Sequence, residues 1–153
     1  MTTPARPARS LFVTLPVADP VRSRAFFAEL GFGVHPGFTD DDAACLLVSE
    51  QTSVMLVRHE RFAELSPRPA ADPAAHVSAL LCFGVGSREE VDAVSAAALA
   101  AGAVEADGLE DHGFMCSRSF FDLDGHGWQV MWMDPVAAVE GPAAAAQPAD
   151  APA

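Results

Sequence analysis

The sequence predicts an α+β fold built from two modules with the same order of elements, a strand, a helix and three further strands. Three observations predict it. A strand followed by a capped helix occurs twice, each helix is followed by three short strand-like runs, and a Pro/Ala-rich connection at residues 66–75 separates the two copies. We expect the two sheets to form a curved mixed sheet with a concave cleft, and the helices to cover its convex face.

The first module begins with an apolar strand at residues 11–17, followed by a helix at residues 20–30. Asp19 is a good N-cap, and Pro20 suits the first helical position because its missing N–H would be unpaired there anyway. Gly31 suits the left-handed position at the end of the helix. The three strands predicted after this helix are Gly33–Pro36, Ala43–Ser49 and Ser53–Arg58.

The second module repeats this order, with a strand at residues 78–85 and a helix at residues 88–101. Ser87 and Glu90 have the spacing of a capping box, and Gly102 follows the predicted helix. The three strands predicted after it are Ala103–Asp107, Phe114–Phe121 and Trp128–Met133.

These elements place one domain at residues 10–134, with modules at 10–65 and 76–134. Residues 1–9 are rich in Pro, Ala and Arg, and we expect a flexible tail there. Residues 135–153 are Ala/Pro-rich and contain no aromatic residue. We expect this second segment to be disordered because it cannot build a packed core.

The composition narrows the classes of partner. The formal net charge is −12, from 21 acidic residues against 9 basic ones, all arginine. Such a chain is a poor partner for nucleic acid, which is bound largely through basic side chains, but it permits a cationic or neutral small molecule. Three cysteines without metal-type spacing indicate a reducing, cytoplasmic location. The absence of an apolar leader or membrane-length run predicts no membrane association.

Three segments together resemble the vicinal oxygen chelate superfamily, which includes glyoxalase I, bleomycin- and fosfomycin-resistance proteins and extradiol dioxygenases. The segments are LPVADPVRSRAFFAELGF at 15–32, CFGVGSREEVDAVSAAALAAGA at 82–103, and FFDLDGHGWQVMW at 120–132. The resemblance implies the paired βαβββ layout, and it implies a homodimer.

The resemblance also implies where a metal would be held. Its metal-containing members take ligands from cleft-facing positions that, in this chain, are occupied by Phe12, Leu80 and Gln129. Two of these side chains have no donor atom, and the third is a neutral amide. Because a divalent cation needs several nitrogen, sulfur or oxygen donors, we expect no metal cofactor.

The alternation of side chains along strands predicts an apolar pocket instead. Phe12 and Thr14 of the first strand should face the cleft, Met55 should lie beside them, and His112 should reach the mouth of the cleft. Such a pocket, mostly apolar with a few orienting polar groups, is typical of small-molecule sites. The predicted pocket residues are Phe12, Thr14, Met55, Leu80, Cys82, His112, Gln129 and Met131.

Three functions fit this pattern. The first is a metal-free protein that binds a small hydrophobic or cationic molecule, as the resemblance to bleomycin-resistance proteins implies. The second is a metal-dependent lyase or dioxygenase, glyoxalase-like or extradiol-type, in which His112, Cys116 and Gln129 would converge as relocated ligands. The third is a structural or regulatory dimer with an incidental pocket. No catalytic residue can be assigned from the sequence.

Two residues near the last strand have a structural interpretation. His126 lies in a D-G-H-G turn, where we expect hydrogen bonds within the loop. Arg118 is expected to form an ion pair with Asp122 or Asp124, and contact with an anionic ligand is the alternative.

Overall fold

The structure is a computed structural model that describes residues 9–145. These residues form two compact units, which divide between His76 and Val77. Apart from residue 9, the predicted tail at 1–9 lies outside the described residues, as do residues 146–153.

The first unit contains one four-stranded mixed sheet, in the order β1-β4-β3-β2. Strand β1 is parallel to β4, and the other pairs are antiparallel. A short 3₁₀ helix at Pro36–Phe38 connects β2 to β3. The elements are β1 at Leu11–Val17, α1 at Pro20–Glu29, β2 at Gly33–Val34, β3 at Ala43–Leu47, β4 at Thr52–Arg58 and α2 at His59–Leu65.

The second unit repeats this topology, with strand order β5-β8-β7-β6 and a parallel pair between β5 and β8. The prediction of an α+β fold with two βαβββ modules is therefore confirmed. The elements are β5 at Leu80–Gly84, α3 at Arg88–Ala100, β6 at Val104–Asp111, β7 at Met115–Phe121, β8 at Gly127–Met133, α4 at Pro135–Glu140 and α5 at Pro142–Ala145.

Both predicted helix starts are formed by side-chain caps. The Asp19 carboxylate accepts hydrogen bonds from the backbone N–H groups of Val21, at 3.0 Å, and Arg22. The Ser87 hydroxyl accepts one from the backbone N–H of Glu90 at 3.2 Å. In return, the Glu90 carboxylate accepts from the backbone N–H of Gly86 at 2.8 Å, one residue earlier than in the standard capping box.

Each unit has its own apolar core on the side of the sheet that its long helix covers. In the first unit, α1 packs against β3 and β4, where Leu46 and Leu56 are fully buried. In the second, Val91 of α3 packs with Cys116 and Val130. Each such buried aliphatic side chain contributes roughly 1.5–3 kcal/mol of transfer free energy. Around this second cluster lie Phe83, Val85, Val94 and Trp132.

The structure corrects the prediction of disorder from residue 135. Residues 135–145 form α4 and α5. The Asp134 carboxylate caps α4 by accepting from the backbone N–H of Val136 at 2.8 Å, and Ala137 is buried. The compositional argument missed this cap because one aspartate before Pro135 starts a helix without needing aromatic residues.

Several elements also differ from the prediction in their bounds: β2 ends at Val34, β3 at Leu47, and β5 begins at Leu80. Strand β6 continues to Asp111, four residues beyond the predicted end, and α2 was not predicted. Among residues 9–145, no helix is both long and apolar enough to cross a membrane.

Candidate functional site

The second sheet has two faces with different roles. Cys116 and Val130 contact Val91 of α3, and Phe83 packs against the same cluster, so these side chains define the α3 face. Because side chains alternate along each strand, Cys82 and Gln129 lie on the opposite face. We call this second surface the far face of the second sheet.

The predicted pocket residues of the second unit lie on this far face or at its edge. Leu80 has 56% of its surface exposed, and Cys82 is paired in register with Gln129. Met131 lies two residues beyond Gln129 on β8, which places it on the same face. His112 follows the last residue of β6, and its imidazole lies 3.0 Å from the Glu110 carboxylate.

The predicted pocket residues of the first unit lie on its own sheet. Thr14 and Met55 are register partners on the parallel pair β1 and β4, and Phe12 is paired with Ser53. Phe12 has 60% of its surface exposed, whereas Leu15 of the same strand is buried. Alternation puts Phe12, Thr14 and Met55 together on the side away from the core residues Leu46 and Leu56.

The sequence prediction missed four polar residues of the far face. Ser119 is the register partner of Gln129, and Ser117 is the partner of Met131. On the next strand Asp107 is paired with Ser119, and Glu110 with Ser117. Alternation along the predicted strand 114–121 could have placed the two serines, since both are an odd number of residues from the α3-facing Cys116.

The two acidic residues had no comparable signal. Strand β6 changes register between Glu105 and Asp107 and again between Asp107 and Glu110. Such bulges break the strict alternation from which a face is assigned. The faces of Asp107 and Glu110 follow from ion pairs of the residues that flank them on β6. Glu105 and Asp111 both contact arginines of the α3 face, so Asp107 and Glu110 lie on the far face.

Cys82 is exposed as a residue, but its thiol is partly withdrawn from water, and this desolvation raises its pKa. A raised pKa lowers the thiolate fraction near neutral pH and therefore the nucleophilicity of the sulfur. Cys82 thus has the chemistry of a neutral thiol beside Gln129, and within residues 9–145 no basic side chain is paired with it.

The relocated ligand set of the enzyme alternative does not converge. Cys116 is buried against Val91 on the α3 face, whereas Gln129 lies on the far face. Cys116 is the register partner of Trp132, which lies three residues from Gln129 on β8, so the side chains of Cys116 and Gln129 point to opposite faces of the sheet and cannot share a metal.

The residues at the three positions implied by the superfamily do not fit a divalent cation. Phe12 and Leu80 have hydrocarbon side chains, and Gln129 supplies a single neutral amide oxygen. Within residues 9–145, no group of three or more His, Cys, Asp or Glu side chains could hold a metal ion.

The turn between β7 and β8 is organised by one buried carboxylate. The Asp122 Oδ1 atom accepts from the backbone N–H groups of Asp124, at 2.9 Å, and His126, at 3.0 Å. Its Oδ2 atom accepts from the indole N–H of Trp128 at 2.9 Å. Burial raises the pKa of Asp122, and the nearby His126 and these hydrogen bonds oppose that rise. His126 therefore has the turn role that the sequence predicted.

The two arginines of the second unit both lie on the α3 face. Arg88 pairs with Asp111 at 2.8 Å, donates to the carbonyl of Gly113 and stacks over the Trp132 ring at 4.7 Å. Arg118 pairs with Asp92 of α3 at 2.6 Å.

The prediction that Arg118 pairs with Asp122 or Asp124 was wrong. They are near in sequence, but the strand directs the Arg118 guanidinium towards the helix, where Asp92 lies.

Comparisons with solved structures support the fold. A hypothetical protein from S. aureus shares 23% identity over 83% of this chain and 95% of its own, with a TM-score of 0.70. A glyoxalase/bleomycin resistance protein/dioxygenase family enzyme from Burkholderia phytofirmans shares 19% identity over 80% of this chain and 96% of its own, with a TM-score of 0.66. A glyoxalase-related enzyme from Fulvimarina pelagi shares 20% identity over 86% of this chain and 89% of its own, with a TM-score of 0.68.

The chain therefore has the fold of the vicinal oxygen chelate superfamily, as the sequence resemblance implied. Within that class, residues 9–49 match the family described as bleomycin resistance protein-like N-terminal. No curated protein is significantly similar to this chain in sequence.

Proposed function

We propose that this protein binds a small organic molecule, hydrophobic or cationic, without a divalent metal. One observation carries the proposal. The positions that correspond to metal ligands in the superfamily hold Phe12, Leu80 and Gln129, which do not supply the donors a cation needs. The metal-dependent lyases and dioxygenases of this fold depend on those donors.

The surroundings of these positions support ligand binding. On the far face of the second sheet, Gln129 lies beside Cys82 in register, and Met131 and Leu80 supply apolar surface. Apolar surface with a few polar groups is the usual composition of a small-molecule site. Methionine adapts its shape to different ligands because its side chain is unbranched and flexible.

Metal analysis combined with thermal unfolding tests the proposal. Purified protein should contain substoichiometric Zn, Ni, Mn and Fe, and EDTA should leave its melting temperature unchanged. A panel of hydrophobic and cationic small molecules should contain compounds that raise the melting temperature without added metal. Stoichiometric metal, or protection that appears only with added metal, would instead support a lyase or dioxygenase.

A pair of variants locates the site. Gln129→Leu should reduce the stabilisation by a bound compound, since it removes the amide on the far face while keeping a similar volume. Ser95→Ala, on α3, is the matched control and should leave that stabilisation unchanged. Equal protection of the wild type and Gln129→Leu would place binding elsewhere.

We further propose that the protein is a cytoplasmic homodimer that does not bind nucleic acid. The resemblance to the superfamily supports the dimer, and the net charge of −12 supports the lack of affinity for phosphate backbones. Sedimentation velocity should give the mass of two chains. A monomer across the accessible concentration range would contradict the dimer.

A further inference from the structure

Two Asp-Gly steps occur in this chain, one at Asp107 and Gly108 and one at Asp124 and Gly125, and the sequence contains no asparagine. An aspartate followed by glycine is chemically labile. The backbone nitrogen of the next residue can attack the side-chain carboxyl group, and glycine has no Cβ to hinder the approach. Because both steps have the same pair of residues, the fold decides which of them reacts.

The step at Asp107 lies in the exposed outer strand of the second sheet. Strand β6 is at the edge of the sheet, and all 8 of its residues are exposed. Its pairing with β7 changes register between Asp107 and Glu110, so within the described sheet Gly108 and Leu109 have no register partner. Bulged residues of an edge strand are held by fewer neighbours than residues of a regular ladder. This part of β6 can therefore change its backbone angles by small local openings.

The Asp107 carboxylate is folded towards the next peptide bond. Its Oδ1 atom accepts a hydrogen bond from the backbone N–H of Gly108 at 2.9 Å. Since Oδ1 is bonded directly to Cγ, this contact brings the Asp107 Cγ atom close to the Gly108 nitrogen. The reaction then needs only a rotation of an exposed carboxyl group and its neighbouring peptide, after which the nitrogen rather than its hydrogen faces Cγ.

The step at Asp124 is held by the turn between β7 and β8. The Gly125 N–H donates to the backbone carbonyl of Asp122 at 3.1 Å, and the Asp124 N–H donates to the Asp122 carboxylate at 2.9 Å. Gly125 has a φ of 90°, in the left-handed region. The Gly125 nitrogen can attack only after this turn opens, so the fold protects Asp124.

We propose that Asp107 is a site of spontaneous isomerisation to isoaspartate. The Gly108 nitrogen attacks Cγ of the Asp107 carboxylic acid, an N–C bond forms, and a C–O bond breaks as the hydroxyl leaves with the amide proton as water. Water then adds to either carbonyl of the resulting succinimide. Addition at Cγ restores aspartate, whereas addition at the former backbone carbonyl breaks its bond to nitrogen and leaves isoaspartate. The sequence of steps needs no oxidant or reductant and leaves the mass unchanged.

The product changes the geometry of β6. In isoaspartate the main chain runs through Cβ and Cγ, so the strand gains a further carbon atom. An additional main-chain atom before Glu110 changes the spacing that now pairs Asp107 with Ser119 and Glu110 with Ser117. Ser119 is also the register partner of Gln129, so the modification alters the far face at that position. The reaction needs no bound ligand and is independent of the proposed function.

Peptide mapping of aged protein measures both steps in one experiment. Trypsin cleaves after Arg88 and Arg118, so Asp107 and Asp124 fall on different peptides. Folded full-length protein is kept in a mildly acidic buffer, sampled over time, digested, and compared with fresh protein by liquid chromatography and mass spectrometry. A peptide with isoaspartate has the same mass and a shifted retention time, and electron-transfer fragmentation assigns the modified residue.

Unfolded protein in guanidinium chloride is the reference for both steps. Dividing each rate in the folded protein by the rate of the same step in the unfolded protein removes differences in local chemistry. The ratio for Asp107 should exceed the ratio for Asp124 about tenfold, because the turn must open before Asp124 reacts. Equal ratios, a larger ratio for Asp124, or no isomer at Asp107 in the folded protein would overturn the proposal.

Gly108→Ala is the matched variant. A Cβ at Gly108 would meet no heavy atom of residues 9–145 within 4 Å, and Gly108 is not in the left-handed region, so the melting temperature should hardly change. The added methyl group obstructs the attack and should slow isomerisation at Asp107 about tenfold, with the rate at Asp124 unchanged. An unchanged rate at Asp107 in this variant would show that the Gly108 nitrogen is not the nucleophile, and the proposal would be wrong.

Discussion

At the scale of single residues, Asp122 organises the connection between the last two strands. One carboxylate accepts three hydrogen bonds, from the backbone N–H groups of Asp124 and His126 and from the Trp128 indole. Asp122 is 6% exposed and Trp128 only 1%. The segment that most resembles the superfamily, at residues 120–132, therefore has a structural role, because the hydrogen bonds of Asp122 hold β8 and its Gln129 in place.

Trp128→Phe tests this organisation. It keeps a ring in the core but leaves the Asp122 Oδ2 atom buried without its indole donor, which should lower the free energy of unfolding by about 1–3 kcal/mol. Urea denaturation measures the loss. Trp132→Phe, on the same strand and the same face, is the control and should cost less. A loss for Trp128→Phe no larger than for the control would show that the hydrogen bond contributes little.

The pH dependence of stability tests the same carboxylate. Burial raises the pKa of Asp122 in the folded protein, so the folded state binds this proton more tightly than the unfolded state does. The stability contribution of Asp122 should therefore fall as pH rises from the ordinary aspartate pKa of about 3.9 towards the raised value.

Asp122→Asn removes that titration while keeping the size of the side chain. The unfolding free energy of the wild type minus that of the variant should decrease with rising pH across this window. Urea denaturation at a series of pH values gives both quantities. A difference that stays constant or increases with pH would contradict a raised pKa.

At the scale of elements, the helix caps were evident in the sequence, whereas the side-chain contacts between elements distant in sequence were not. Asp19 and Ser87 begin α1 and α3 as their spacing indicated, because a cap depends only on residues two or three positions away. The attachment of β6 to α3 depends on Arg88 and Asp111, which are separated by 23 positions. No local pattern could join them.

Arg88→Ala tests that attachment. Arg88 lowers the pKa of Asp111, chiefly through their hydrogen bond, and the backbone N–H of Gly113 assists. The variant should return the Asp111 pKa towards its ordinary value and speed amide exchange around the β6–β7 turn. NMR titration and hydrogen exchange measure the two effects.

Arg88→Lys is the control. It keeps the positive charge but cannot contact Asp111 and Gly113 simultaneously as the guanidinium does. It should retain part of the pKa shift and lose most of the protection from exchange. An unchanged Asp111 pKa in Arg88→Ala would show that other groups depress it. Because the pKa of Asp111 is lowered in the folded protein, this residue stabilises the fold at pH values above the ordinary aspartate pKa. That stabilisation is lost as the pH falls towards the lowered pKa.

At the scale of the whole molecule, the charge is the dominant property. The net charge is −12 for 153 residues, and like charges repel one another in the compact state. Moderate salt should therefore raise the melting temperature by screening, because the Debye length falls to about 10 Å at 0.1 M ionic strength. Calorimetry in sodium chloride and in sodium sulfate at equal ionic strength separates screening from specific ion effects. A melting temperature independent of ionic strength would show that the repulsion is locally compensated.

The two modules and the helix starts follow from the linear sequence, as do the hydrocarbon side chains of Phe12 and Leu80 and the single neutral amide of Gln129 at the metal-ligand positions. These features depend on residue type and short-range periodicity, which a linear sequence displays directly. It misjudged residues 135–145, where composition suggested disorder and a local cap formed a helix.

The polar groups that surround Gln129 were evident only in the folded chain. Strand register aligned Ser119 and Asp107 with it, and the bulges of β6 brought Glu110 to the same face. The same folding directed Arg88 and Arg118 to α3 and left the far face acidic. Register and bulges arise from pairing between strands distant in sequence, so short-range periodicity cannot specify them.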